Sequence, residues 1–357
     1  DPRASVYVYE QTHRLAASSQ ERTQRGFFAR LRLEPLEARA GVLAHERTMA
    51  GPKEDRYRLL RATGTNTSAV VALFQDATAD GSRVMAEVVE AEPAVSVVDD
   101  DGVGHRLWVV PAAGGDTPPA AAERLIAAAS PAPVVIADGH HRYETALRYR
   151  DERRMTRSCE EDPAFDYVLA LLLPADGSLT VLPTHRIVRG LGDAGVDRLI
   201  AGLDTAFQVE PVESDELVAR FAAADAPGGR GRFGLLTRRG GYALRWRTDA
   251  LEDALPPGSD ALRGLDVTRL GAAFQVLAGI DAAALAAGER VGYTKSAADA
   301  ARAVASGSDG VDAAFLLEPT PVSSVLAVAH AGEVMPQKST YFYPKALTGL
   351  VFNPHEW

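Results

Sequence analysis

Several things are scarce in this chain, and each scarcity narrows what the protein is. Cysteine occurs once, as Cys159 in the polar stretch Ser158-Cys159-Glu160-Glu161, so an internal disulfide and a cysteine-based zinc site are excluded. A reducing cytoplasm is the simplest expectation. No apolar run approaches the ~20 residues a bilayer-spanning helix needs. The opening Asp1-Pro2-Arg3 has neither a signal-peptide pattern nor an initiating Met. The expectation is a sequence that starts inside a longer chain or after processing. Long Lys/Arg runs are missing and the net charge is −10. General nucleic-acid binding rests on a basic face that neutralises phosphates, so neither nucleic acid nor a membrane is an expected partner. Gly-x-Ser-x-Gly, Cys-His pairing, strand-following Rossmann glycines and His-x-x-x-His or His-Glu-x-x-His spacings are absent as well.

What remains is an ordinary globular composition, 46% hydrophobic and 24% charged over 357 residues, with room for two domains. Alternating or apolar runs predict strands at 6–10, 26–34, 68–74, 88–98, 105–110 and 134–137. Gly51-Pro52 followed by acids predicts a helix that ends at Gly64, and Thr117-Pro118-Pro119 predicts another ending near Ser130. Residues 165–173 and 179–188 read as a hairpin around Asp176-Gly177. After Gly190 the composition shifts. Residues 193–224 read as two alanine-rich helices around a strand at 207–210, and 232–247 as a hairpin with Gly240-Gly241 at its tip. A helix near 266–277, a helix at 297–305 and a strand at 311–317 complete the pattern. The fold class expected is α/β, mixed α+β. The division expected is a phosphate-binding core at 1–190, an accessory α/β part at 191–334, and a C-terminal segment, 335–357, that returns towards the site.

Cations gather in short blocks, which favours a small anionic substrate held in a pocket. Val134-Val135-Ile136-Ala137 is a buried strand, Asp138-Gly139 a turn, and His141 to about Arg150 a helix. The first turn of that helix has free N–H groups and a positive dipole end. Arg142 adds a fork that matches two phosphate oxygens, and His140 and His141 add further polar groups. Asp138 is a candidate general base or Mg²⁺ ligand. His45-Glu46-Arg47-Thr48 precedes the next cationic block, Lys53-Glu54-Asp55-Arg56, and offers Glu46 or His45 as a base. A bland alternative stands beside this reading, because a charge run is usually a solvated helix face. Thr184-His185-Arg186 ends a strand. Gln337-Lys338-Ser339-Thr340 offers a lysine and hydroxyls but lacks the glycines of a Walker motif.

The His45-Glu46-Arg47-Thr48, Gly51-Pro52-Lys53-Glu54-Asp55-Arg56, Asp138-Gly139-His140-His141-Arg142-Tyr143-Glu144-Thr145-Ala146 and Met335-Pro336-Gln337-Lys338-Ser339-Thr340 blocks together resemble domain-of-unknown-function family 1015. Its members often carry a SpoOJ/ParA/ParB/RepB-like label. The Asp138-Gly139-His140-His141-Arg142 block is also distantly similar to the phosphate motif of the ParB/sulfiredoxin fold, which includes free-serine kinases. Members usually carry an upstream Pro-Pro-Tyr-Asp-Val-like motif, absent here, which agrees with an internal start. The resemblance implies a ParB/sulfiredoxin-like core with a mixed sheet, ATP or ADP and Mg²⁺ as cofactors, and a link to serine metabolism.

The expected function is therefore a phosphotransferase that binds a nucleotide or a phosphorylated small molecule, a small-molecule kinase or phosphatase; the resemblance adds serine or phosphoserine as its substrate. Glu46, Asp138 and His140 are the expected catalytic groups, with Asp138 on the metal. Gly139, His141, Arg142, Arg47, Lys53, Arg56, His185, Arg186, Lys338 and Ser339 are the expected phosphate- or nucleotide-binding groups. Two other readings stay open: a non-catalytic, nucleotide-responsive ParB-like regulator, and a metal-dependent hydrolase using His45, His140, His141 and His185.

Overall fold

The computed structural model describes residues 3–15, 20–36, 39–46, 53–113, 120–156, 161–222 and 230–355. It is a mixed α/β protein with eleven α-helices among the described residues. The chain divides into two compact units. The first takes the chain up to Arg14, Gln20–Thr180 and Phe342 onward; the second is built on Val181–Tyr341. The divisions thus fall at Thr180 and Tyr341, where the sequence suggested 190 and 334.

The first unit is organised on an eight-stranded mixed sheet. From one edge its strands run Val42–Ala44, Val134–Asp138, Val70–Phe74, Tyr167–Pro174, Glu21–Arg32, Ser5–Arg14, Gly104–Pro111 and Val95–Val98. Val134–Asp138 pairs parallel to Val42–Ala44 and antiparallel to Val70–Phe74. Val70–Phe74 in turn runs parallel to Tyr167–Pro174. These central strands are continuous apolar runs, VVALF and YVLALLLP, buried on both faces as such strands require. Val8, Phe27, Phe74, Val84, Leu125, Ile136 and Tyr143 belong to one core cluster. Gly26 marks a close backbone approach: a Cβ there would lie 2.5 Å from the Leu172 carbonyl oxygen.

The second unit has a six-stranded antiparallel sheet, in the order Phe207–Val212, Gly240–Trp246, Arg232–Thr237, Val311–Leu317, His185–Arg189 and Val291–Thr294. Leu217 of helix Ser214–Ala222 and Ala300 of helix Ala297–Ser306 share a core cluster with Leu236, Ala314 and Leu316 of this sheet.

Three sequence expectations need correction. The hairpin over 165–188 does not form. Its first arm, Tyr167–Pro174, finds Glu21–Arg32 on one side and Val70–Phe74 on the other, while His185–Arg189 pairs with Val291–Thr294 and Val311–Leu317 in the other sheet. A strand apolar on both faces needs two long partners, and a local turn supplies only one. The strand expected over 88–98 shrinks to Val95–Val98, because Asp80–Val88 is a helix. Its buried Gly81, Val84 and Met85 have helical spacing, and Asp76 accepts from the Gly81 and Ser82 N–H groups at 3.3 and 2.7 Å. The tip of the 232–247 hairpin is Arg238-Arg239, since Gly240 already pairs with Thr237.

Candidate functional site

The site grows out of the end of strand Val134–Asp138. Gly139 has φ +86, a left-handed conformation that favours glycine, and the next residue opens the 17-residue helix His140–Thr156. Tyr143 N–H donates to the Gly139 carbonyl at 3.0 Å, which closes the first turn. The N–H groups ahead of it have no carbonyl within the helix to bond. A Cβ on Gly139 would lie 2.8 Å from Arg142 Nε, so the glycine also leaves room for the guanidinium lying over it.

Asp138 stands between two cations. Arg142 Nη2 donates to its Oδ2 at 2.8 Å and Lys345 Nζ to its Oδ1 at 3.1 Å. Burial opposes ionisation, yet the Lys345 ammonium and the Arg142 guanidinium outweigh it and hold the carboxyl below its usual range. Arg142 also donates through Nη1 to the Ala69 carbonyl. Burial, with the charge of nearby Arg56, lowers its own affinity for a proton; Asp138 acts in the opposite sense.

Two histidines line the same place. His45, fully buried, and His140 have ring centroids 4.7 Å apart, with the Phe342 ring edge-on to His45 at 6.1 Å. His45 Nδ1 donates to the Ile136 carbonyl, which fixes the tautomer and leaves Nε2 without a proton in the neutral ring. Burial pushes its pKa down to about 4, against the hydrogen bond to Ile136. His140 falls further, to about 3, through burial and then the neighbouring His45 charge. Both are neutral at pH 7. His140 Nε2 is buried and has no hydrogen-bond partner among the described residues. Glu46 Oε2 lies 3.8 Å from His45 Nε2.

The other expected residues distribute as follows. His141 is half-buried on the first helical turn, close enough for its charge to depress His140. Arg56 is exposed on helix Lys53–Thr63 and reaches Arg142 through its field. Lys53 begins that helix, and its side chain lies outside the described residues, as does all of Arg47. His185, Arg186, Lys338 and Ser339 belong to the second unit. There Arg186 is buried, donating to the Thr184 hydroxyl at 2.7 Å and the Lys338 carbonyl at 3.2 Å, with its guanidinium 4.8 Å from the Tyr293 ring centroid. Ser339 is buried and donates to the Pro336 carbonyl at 2.5 Å, and Lys338, at φ +58, is exposed. His185 is fully buried, with Nδ1 accepting from Leu317 N–H at 3.1 Å.

The sequence reading missed Lys345 as a site residue. Its signal was the Tyr341-Phe342-Tyr343-Pro344-Lys345 run, too rich in aromatics for a frayed tail, but only the fold seats the lysine on Asp138. The donor set here suits an anion. It offers Arg142, Lys345 and a helix N-terminus, and both Asp138 oxygens are already engaged by cations. Among the described residues no group of three His, Cys, Asp or Glu side chains is arranged to hold a metal ion. Nor, among the described residues, is any helix long and apolar enough to cross a membrane.

Over residues 1–268 the chain matches the family described as "Protein of unknown function (DUF1015)". That description carries no SpoOJ/ParA/ParB/RepB label, and this part of the resemblance finds no support. No curated protein matches the chain. Among solved structures, a conserved hypothetical protein from Pyrococcus furiosus is 13% identical, with 90% of this chain and 94% of that chain covered and a TM-score of 0.40. A free serine kinase in complex with AMP is 13% identical, with 91% of each chain covered and a TM-score of 0.41. SbnI with a C-terminal truncation, from Staphylococcus aureus, is 10% identical, with 90% and 85% covered and a TM-score of 0.41. These likenesses are too distant to carry over residues or chemistry.

Proposed function

The chain belongs to the DUF1015 family, and we propose that it is a phosphotransferase that binds a nucleotide or a phosphorylated small molecule at the Asp138–Arg142 turn. One observation carries this reading: Arg142 and Lys345 converge on Asp138 at the N-terminal end of helix His140–Thr156. A phosphoryl group offers negative charge and paired oxygens, as the Asp138 carboxylate does. On arrival it takes over contacts with both cations and the open helical N–H groups. Asp138 keeps the two cations assembled until then.

In phosphoryl transfer the bond from phosphorus to the leaving oxygen breaks and a bond to the acceptor hydroxyl forms, with the hydroxyl proton leaving. Most of the catalysis is positioning and charge neutralisation. Arg142 and Lys345 supply the charge, with Arg56 adding to the field. A carboxylate held ionised by two cations is a weak base, so Asp138 is the organiser of this site and not its proton acceptor. Glu46, beside the unprotonated Nε2 of His45, is the carboxylate assigned to the acceptor proton. His140 Nε2, without a partner among the described residues, is a polar atom available to the ligand. Mg²⁺ would arrive on the nucleotide phosphates and supply charge neutralisation there; the substrate class proposed is a small hydroxyl compound such as serine, or its phosphoester.

Calorimetric titration with ADP, ATP and inorganic phosphate, with and without Mg²⁺, followed by turnover assays with serine and phosphoserine, tests the reading. Arg142→Ala should weaken phosphate-ligand binding by about 10- to 100-fold, the equivalent of losing a charge-assisted contact of 1.5–3 kcal/mol. Unchanged binding and turnover in Arg142→Ala would remove the assignment. The regulator and metal-hydrolase readings have no such convergence behind them.

A further inference from the structure

Lys345 sits on an irregular segment, and the unit holds that segment by its main chain. Gln11 Nε2 donates to the Lys345 carbonyl at 3.0 Å, and Gln24 Nε2 in turn donates to Gln11 Oε1 at 2.8 Å. Two residues on, the Leu347 N–H donates to the Tyr9 hydroxyl at 3.2 Å. Tyr9 is fully buried on strand Ser5–Arg14, its ring 5.2 Å from Phe28 and stacked 5.9 Å from His105.

The Tyr9 hydroxyl lies 2.6 Å from His105 Nδ1, and His105 Nε2 lies 3.0 Å from Asp99 Oδ2. A backbone amide only donates, so the Tyr9 oxygen accepts from Leu347. The Asp99 carboxylate only accepts, so His105 Nε2 carries a proton and donates to it, and Nδ1 of that tautomer accepts the Tyr9 proton. Asp99 Oδ1 is fixed by its own turn, accepting from the Asp101 and Val103 N–H groups at 3.0 and 2.9 Å. Every donor along this chain has an acceptor. It runs from a turn beside the sheet's edge strand to the segment that carries the site lysine.

We propose that Tyr9 is a positioning residue for Lys345, and that His105 and Asp99 orient the Tyr9 hydroxyl for that task. The value of this for the ligand rests on the proposed phosphate site; the mechanical linkage does not. A flexible lysine on an irregular segment loses side-chain and backbone freedom when it grips an anion. Anchoring the carbonyl of 345 and the amide of 347 removes the backbone part of that loss beforehand. Sequence patterns gave no sign of this arrangement, since Tyr9, Asp99, His105 and Leu347 are scattered along the chain.

The test pairs amide hydrogen exchange with titration of inorganic phosphate and ADP, on the full chain. Tyr9→Phe keeps the ring and removes the hydroxyl. Exchange at residues 345–348 should accelerate by about ten-fold or more, the local opening expected when a buried hydrogen bond is lost, while the strands of the same sheet keep their protection. Uniformly lost protection would reveal a merely structural role and overturn the proposal, as would unchanged exchange at 345–348. Asp99→Asn turns a carboxylate into an amide that faces the His105 N–H. It should give the same localised acceleration to a smaller degree, and no effect would cut Asp99 and His105 out of the arrangement. In titration Tyr9→Phe should weaken binding less than Lys345→Met does. If the parent protein binds neither phosphate nor ADP, the proposed function falls, and the exchange arm still decides the role of Tyr9.

Discussion

His45 sets the pH behaviour at the scale of the residue. Unfolded, its imidazole takes a proton near 6.5; folded, burial delays this to about 4. Between those values the unfolded chain binds more protons, so acidification favours unfolding, and the stabilisation present at pH 7 is lost as pH falls from about 6.5 towards 4. The difference is on the order of 3 kcal/mol. His140 acts in the same direction, and the depressed Asp138 adds a loss below its ordinary range. Melting temperature measured from pH 7 to pH 4 should therefore fall, and His45→Gln, which keeps a donor for the Ile136 carbonyl, should flatten the curve. Gly139 is the other decisive residue. Gly139→Ala places a side chain at φ +86 and against Arg142. We expect a cost of about 1–2 kcal/mol in urea unfolding together with weakened phosphate binding. The Asp-Gly turn was visible in the sequence, and so was Arg142 four residues on. The two cations on one carboxylate were not, because Lys345 is 207 positions away from Asp138.

At the scale of the element, helix His140–Thr156 is what aims the site, and it is fastened along its length. Tyr143 is fully buried, and its hydroxyl donates to the Glu34 carbonyl and accepts from the Glu34 N–H, each at 2.9 Å. Arg150 Nη1 donates to the neighbouring Leu33 carbonyl at 2.8 Å, and the Arg148 guanidinium lies 3.6 Å from the Tyr57 ring centroid on helix Lys53–Thr63. Tyr143→Phe removes both hydrogen bonds to the Glu34 main chain. Chemical denaturation should register a loss of about 1–3 kcal/mol. The sequence identified this helix by its strong formers but ended it near 150, whereas it runs to Thr156. Charged residues dominate its last turns, so periodicity had little to read. The pairing of strands was less legible still. Tyr167–Pro174 is apolar throughout, and nothing local says which strands flank it.

For the whole molecule, the division into two units, each with a core cluster of its own, bears on unfolding. Scanning calorimetry should show a calorimetric enthalpy above the van't Hoff value, the mark of more than one cooperative step. Saturating ADP should raise the transition of the unit that contains Asp138 and leave the other in place, since a ligand stabilises what it binds. The sequence by itself determined the α/β class, the helix and strand that bracket Asp138-Gly139, the acidic balance and the cationic blocks, because these depend on local spacing and on composition. Only the tertiary structure decided which cations share a carboxylate, which histidines lose their charge and how Tyr9 steadies the Lys345 segment. Each of these depends on burial and on contacts between residues far apart in the chain, and neither quantity is a property of a local window.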